Sequence, residues 1–376
     1  MKKKIVIFPN DPIIAYFEKG EIKERYFNPN NFFDEVHIIS FIEKDIEESK
    51  VQDLVGNASL FIHSVGVINL KNKNKHVERI IDLVKNINPN VIRSYNPSLQ
   101  GWFAAKCAEK LGIPFFVSLH TQYDYKRKEV RKNNLKKFLV LKYSEKFLEK
   151  FVLKHADKIT IVYKIIEPYV LNHGGKKPEL LYNKVDCKKF IQSDKMKNLP
   201  SPLILSVGNL IVEKNHEIII KAMKNLNSNL LIIGKGPNYQ NLRELIKNEK
   251  LEDKITIIES VPHKDISKYY KSADVFALAY NAELEGLPIP VMEAMASGLP
   301  VVIPYPKEGF SEGLEEICLL TENNSESFAK NIEKILSNEE FSQQYSKKSL
   351  EKAQEFDISK IEKRESEIYE KLISQH

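Results

Sequence analysis

The sequence predicts an α/β fold of two domains, each a parallel sheet covered by helices. Three observations carry this. Short apolar runs alternate with amphipathic stretches along all 376 residues, the pattern of strands buried on both faces. The length suits two domains, each with its own core. A polar, proline-punctuated stretch from Gln192 to Pro202 reads as a linker between them.

In the first half the expected strands are Lys4–Phe8, Glu35–Ser40, Ser59–His63, Val91–Arg93, Phe115–Leu119, Lys158–Val162 and Glu179–Leu181. Each is a short apolar or β-branched run bounded by turn residues. Helices fit His76–Ile87, Leu99–Leu111 and a long basic stretch from 126 to 158. The second half restarts with strand Leu203–Val207, helix Glu217–Asn225, strand Asn229–Ile233, helix Tyr239–Glu249 and strand Ile255–Ile258. Helix Ile266–Ser272 and strand Val275–Ala279 follow. Residues 351–373 read as a charged terminal helix. The expected domains are 1–197 and 198–352, with a terminal segment 353–376.

Composition narrows the function classes. Residues 1–198 hold 36 Lys+Arg against 23 Asp+Glu, a balance of +13, and residues 199–376 hold 21 against 28, a balance of −7. Such asymmetry suggests that one half faces an anionic partner. Between 126 and 158, Phe138, Leu141, Phe147, Leu148 and Phe151 alternate with lysines. This stretch suits a solvated helix packed on its own domain, or an anionic membrane surface. No aromatic–basic platform argues for nucleic acid. No apolar run approaches the roughly 20 residues of a membrane span. The start, Met1 to Pro9, is too short in apolar residues for a signal peptide, so a first strand in a cytoplasmic, at most peripheral, protein is expected. Cys107, Cys187 and Cys318 are dispersed and read as buried free thiols.

The most informative stretch is 285–302, Glu-Gly-Leu-Pro-Ile-Pro-Val-Met-Glu-Ala-Met-Ala-Ser-Gly-Leu-Pro-Val-Val. Glu285 falls in a Gly/Pro-rich turn after a strand, and Glu293 is expected to start a helix stopped by Gly298 and Pro300. Strand, tight turn and helix N-terminus offer free amides and a favourable dipole to phosphate. Carboxylates accept paired hydrogen bonds from a vicinal diol. The combination fits a nucleotide sugar. An ordinary strand–turn–helix with capping and solvated glutamates fits the same pattern.

The stretch resembles the Glu–seven residues–Glu signature of retaining family-4 (group 1) glycosyltransferases. These have the GT-B fold of two facing Rossmann-like domains, with a C-terminal helix that crosses back to the first. The family motif usually reads Glu-Gly-Phe-Gly-Leu-Pro followed by Glu-Ala-Met-Ala. This chain has Leu287 and Pro288 in place of the Phe and Gly, and keeps Glu285, Gly286, Pro290 and Glu293. The resemblance implies that Glu285 touches the transferred sugar and Glu293 the ribose. Backbone amides from Leu287 to Ile289 would hold the diphosphate, less the donors that Pro288 and Pro290 lack.

Further segments extend the resemblance. Val207-Gly208-Asn209-Leu210 through Lys214 is similar to the family's Val-Gly-Arg-Leu-x-x-x-Lys-Gly, in which Arg and Lys neutralise the leaving diphosphate. Lys214 matches the lysine, whereas Asn209 replaces the arginine and supplies no charge. Gly234-Lys235-Gly236-Pro237 resembles the Gly-x-Gly-Pro turn on the nucleotide side, and Val261-Pro262-His263 the loop near the base. His120 ends the run Pro114–Leu119, at the carboxyl end of a parallel strand where ligands bind such sheets. In the family a histidine here contacts the sugar near the reacting bond. Asp124, in the following loop, and Arg93, at another strand end, are candidate acceptor-side residues.

The first strand runs into Pro9-Asn10-Asp11-Pro12 with no Gly-x-Gly-x-x-Gly, which argues against a dinucleotide cofactor. It also departs from the family, many of whose members carry a glycine-rich loop there. No Asp-x-Asp occurs to hold a metal on a diphosphate. The expected activity is metal-independent, retaining transfer from a UDP-, GDP- or ADP-sugar to a glycan or lipid-linked acceptor. A hydrolysing nucleotide-sugar epimerase and a degenerate, binding-only transferase are the competing readings.

Overall fold

A computed structural model describes residues 2–262 and 264–376, so His263 of the expected base-side loop lies outside the described residues. The chain forms two compact units, residues 1–182 with 361–376, and residues 183–360.

The first unit carries strands β1 (Lys4–Phe8), β2 (Glu35–Ser40), β3 (Ser59–Ser64), β4 (Val91–Ser94), β5 (Phe115–Leu119), β6 (Lys158–Ile161) and β7 (Glu179–Leu180). They lie in the order β3-β2-β1-β4-β5-β6-β7, with every pairing parallel. The second unit carries β8 (Leu203–Val207), β9 (Asn229–Ile233), β10 (Ile255–Ile258), β11 (Val275–Ala277), β12 (Val301–Pro304) and β13 (Leu319–Thr321). Their order is β10-β9-β8-β11-β12-β13, again parallel throughout. Both orders reverse beside the first strand of the unit, between β1 and β4 and between β8 and β11. In open parallel sheets that reversal opens a crevice beyond the carboxyl ends of the strands.

The strands are apolar because helices cover both faces. Ile5, Val6, Ile7 and Phe8 of β1 and Ile204 and Leu205 of β8 are wholly buried. In the second unit the core runs from Ile204, Leu230 and Ile232 to Ile219 and Phe328.

Three differences from the expected layout have physical causes. The division falls at Asn183 rather than at 198. The Val185 amide donates to the Phe356 carbonyl (3.0 Å), and the Ile358 amide donates to the Val185 carbonyl (2.9 Å). These bonds bind 183–192 and 353–360 into one unit. The terminal helix Ile358–Ser374 belongs to the first unit from Ile361 on. There Glu362 accepts from Arg25 (3.1 Å), and Arg364 donates to Glu179 (3.0 Å). The helix of the informative stretch starts at Ile289, not at Glu293. Pro288 is extended and Pro290 lies in the first turn, where its fixed φ suits a helix start. The sequence reading also passed over β13 and the helices Ser325–Leu336 and Glu339–Ala353.

Candidate functional site

In the second unit the candidate residues gather at the carboxyl ends of β8, β9 and β11. β8 runs into Gly208-Asn209-Leu210, then a tight turn (Val212–Lys214) and Asn215 in the left-handed region (φ 47) before helix His216–Ala222. β11 runs into the loop that carries Glu285. The two loops are tied together: the Asn281 amide donates to the Glu213 carbonyl (2.9 Å), and Lys214 Nζ donates to Glu285 Oε2 (2.6 Å). The Lys214 side chain is 9% exposed, that of Glu285 31%. A charge-assisted bond of this length orients both groups.

The turn after Glu285 is also fixed, since Tyr280 Oη donates to the Gly286 carbonyl (2.7 Å). Leu287 is wholly buried and anchors the turn in the core. Among the described residues, the amides of Gly286, Leu287 and Ile289 find no acceptor. They precede the helix Ile289–Ala296, the place where anions bind. Glu293 lies one turn into that helix, where its Oε2 accepts from Tyr270 Oη (2.9 Å). Burial, then the Glu293 charge, pushes the Tyr270 hydroxyl well above its ordinary range, so it stays a donor.

Gly234 and Gly236 serve the loop rather than the solvent side. A Cβ on Gly234 would stand 1.9 Å from the Gly208 carbonyl oxygen, and one on Gly236 2.4 Å from that of Leu210. The Leu210 amide donates to Lys235 and that of Asn238 to Leu210 (both 2.9 Å). The glycines thus let the β9 loop hold the Gly208–Leu210 backbone in place. Asn209 and Pro262 are exposed. Sequence reasoning missed His216 beneath this loop. It is buried, with Nδ1 3.2 Å from Ser206 Oγ, and burial, then the Lys214 charge, lowers its pKa to about 4.

The first unit holds His120, Arg93 and Asp124. His120 follows β5 and stacks on Tyr95 (centroids 5.7 Å, interplanar 29°). Burial, then the Arg93 charge, lowers its pKa to about 4, so the imidazole is neutral at pH 7. Arg93 does not face an acceptor. It is 4% exposed and ion-paired with Glu365 of the terminal helix. Its charge is consumed inside the unit. Asp124 pairs with Arg127 of its own helix (2.6 Å). Ligand atoms of Asp124, Glu145 and His173 lie within 4.8 Å of one another. However, Arg127 also approaches Glu145 (3.4 Å) and Glu149 (2.7 Å), so a guanidinium already fills the cation's place.

In the basic stretch, Leu135, Leu139, Tyr143 and Phe147 point to solvent, 64%, 60%, 42% and 52% exposed. Among the described residues, no helix is long and apolar enough to cross a membrane.

The family model for group 1 glycosyl transferases matches residues 188–352, and that for glycosyltransferase family 4 matches residues 34–189. An uncharacterized glycosyltransferase of Haemophilus influenzae is 34% identical over 179 residues, 46% of this chain and 50% of that protein. The Campylobacter jejuni N-acetylgalactosamine-N,N'-diacetylbacillosaminyl-diphospho-undecaprenol 4-alpha-N-acetylgalactosaminyltransferase is 32% identical over 227 residues, 57% of this chain and 60% of that one. The chain thus spans only about half to three-fifths of the length of these relatives. Among solved structures, Anabaena HepE in complex with UDP superposes with a TM-score of 0.75 at 15% identity, over 98% of this chain and 100% of that one. Two parallel sheets of this order and these matches, which together run from residue 34 to 352, show that the chain belongs to the group 1 glycosyltransferases of the GT-B fold.

Proposed function

We propose that the chain is a retaining, metal-independent glycosyltransferase that moves a sugar from a UDP-, GDP- or ADP-sugar to a hydroxyl of a glycan or lipid-linked acceptor. The observation that carries this is the Lys214–Glu285 contact beside the open amides of Gly286, Leu287 and Ile289. A cation and open amides, which suit a diphosphate, next to a carboxylate, which suits sugar hydroxyls, support this reading. Glu293, held by Tyr270, takes the ribose diol. The Campylobacter relative, by its name, acts on a diphospho-undecaprenol-linked sugar, which favours a lipid-linked acceptor here.

In this reading the acceptor oxygen bonds the anomeric carbon on the face that the diphosphate leaves. The acceptor proton passes to the departing phosphate oxygen. Lys214 and the amides stabilise the charge that builds there, where preorganised donors gain most. Neutral His120 contributes a hydrogen bond to the sugar without adding charge.

The outward Leu135–Leu139–Tyr143–Phe147 stripe, set among Lys132, Lys136, Lys142 and Lys146, suits peripheral attachment to an anionic membrane.

The test is a thermal-shift panel of UDP, GDP, ADP and their sugars with chelator present, on wild type and Glu293→Ala. A ligand at 100 times its Kd adds roughly 2.7 kcal/mol. Stabilisation by one nucleotide, lost in the variant, supports the donor site, and an NMR coupling constant of the product anomer tests retention. No shift with any nucleotide sinks the reading. Epimerised free sugar formed without acceptor turns it toward the epimerase.

A further inference from the structure

The first unit contains a buried cation that the proposed chemistry does not use. Arg93 leaves β4 and reaches in three directions. Nη1 meets Glu365 and the Tyr369 hydroxyl of the terminal helix. Nη2 donates to Ser118 Oγ (3.0 Å) on β5, two residues before His120. The guanidinium carbon lies over Tyr95, 4.3 Å from the ring centroid, and over Phe116 at 4.6 Å. Tyr95 in turn carries the His120 ring and is braced behind by Tyr26 (5.8 Å, 19°) and Phe27 (5.5 Å, 78°).

We propose that Arg93 is a positioning residue for His120: it sets the Tyr95 ring on which the imidazole lies and the β5 end from which it projects, with the terminal helix as its counter-ion. The inference rests on the role given to His120 above. A buried guanidinium needs compensation for lost hydration, and a single carboxylate with a phenol supplies it. That compensation comes from 272 residues away in sequence. Docking of the terminal helix is therefore a condition for the geometry at His120. Stacking demands a planar cation, which lysine is not. The groups facing this node are Arg93, Glu365, Tyr369, Tyr95 and Tyr26. Arg93 is the one cation among them, so it also opposes a charge on His120.

Two variants test this in the full chain. Arg93→Lys keeps the charge and the partner of Glu365. Arg93→Met with Glu365→Gln removes both charges and leaves no buried ion unpaired. Histidine-labelled NMR reads the His120 titration without any substrate, with the signal assigned by its loss in His120→Gln. In Arg93→Met/Glu365→Gln the midpoint should rise, because the cation that opposes a charge on His120 is gone. In Arg93→Lys it should stay low, while nuclear Overhauser contacts between Tyr95 and His120 weaken. Once a donor is known, kcat should fall at least about tenfold in both, with donor KM unchanged. Folded variants with wild-type titration and unchanged Tyr95–His120 contacts overturn the proposal. If the titration shifts but His120→Ala retains full turnover, the positioning stands and the role of His120 falls.

Discussion

Lys214 and Glu285 form an asymmetric pair. Lys214 is nearly buried, and Glu285 can be hydrated from one side. Removing Glu285 therefore strands a buried ammonium, whereas removing Lys214 leaves a carboxylate that water can reach. Glu285→Ala should cost about 1–3 kcal/mol in urea unfolding and Lys214→Met less; the opposite ranking would mean that the pair does not hold this geometry. Their effects on ligands should reverse. In the free protein Glu285 occupies the cation that a diphosphate needs. Hence Glu285→Gln should bind the bare nucleoside diphosphate at least as well as wild type and turn over far more slowly, while Lys214→Met should lose that binding. Calorimetry on the two variants reads both. At this scale the sequence was legible where chemistry is local. Glu285 and Glu293 stand out in a strand–turn–helix pattern that an ordinary capped helix also fits, and Lys214 through its resemblance to a family segment. The fold puts Lys214 against Glu285. Tyr270, 23 residues from Glu293, and Glu365, 272 from Arg93, were not legible. Their contacts arise only when helices from elsewhere dock, and no spacing encodes that. Arg93 misled for the same reason, since a strand-end arginine looks free until its distant counter-ion is known.

The strands and helices were more legible than the contacts, because burial on both faces writes a continuous apolar run into the chain. Boundaries slipped where one residue overrode the pattern, as at Ile289, where Pro290 moves the helix start ahead of Glu293. Gly234 shows what a turn glycine is for. Gly234→Ala would drive a methyl to 1.9 Å from a backbone oxygen, which no side-chain rotation relieves. It should cost about 2 kcal/mol or more and weaken nucleotide binding by displacing Gly208–Leu210. Wild-type stability in a melt would show that the two loops are not packed this way. The basic helical stretch makes a separate prediction. Full-chain protein should float with vesicles containing anionic lipid and not with neutral ones. Leu139→Glu with Phe147→Glu should abolish flotation and leave the thermal shift by nucleotide intact. Equal flotation with both lipids, or in the double variant, removes the membrane reading without touching the donor site.

Across the whole molecule, four buried or half-buried histidines, His37, His63, His120 and His216, share one electrostatic condition: burial lowers the pKa of each. His37, His120 and His216 each have a pKa lowered from 6.5 to about 4, burial being the largest cause in every case. The folded chain therefore binds fewer protons than the unfolded one between these values. Stability from this source is complete above about pH 6.5 and is lost as pH falls toward 4, each histidine adding up to about 1.4 kcal/mol per pH unit. Acid loss should thus begin well before the carboxylates respond: Glu35, held by Lys2 and Lys4, has its pKa lowered to about 2. Three of these four, His37, His63 and His120, lie in the first unit and His216 in the second. If the units unfold in separate steps, the transition of the first should weaken more steeply with acid. Urea titrations at about pH 7, 6 and 5 would show this, and His216→Gln should flatten only the other transition. A stability that stays level across that range would mean that these imidazoles charge freely, and His120 would then be partly charged near neutral pH instead of held neutral for its proposed hydrogen bond to the sugar.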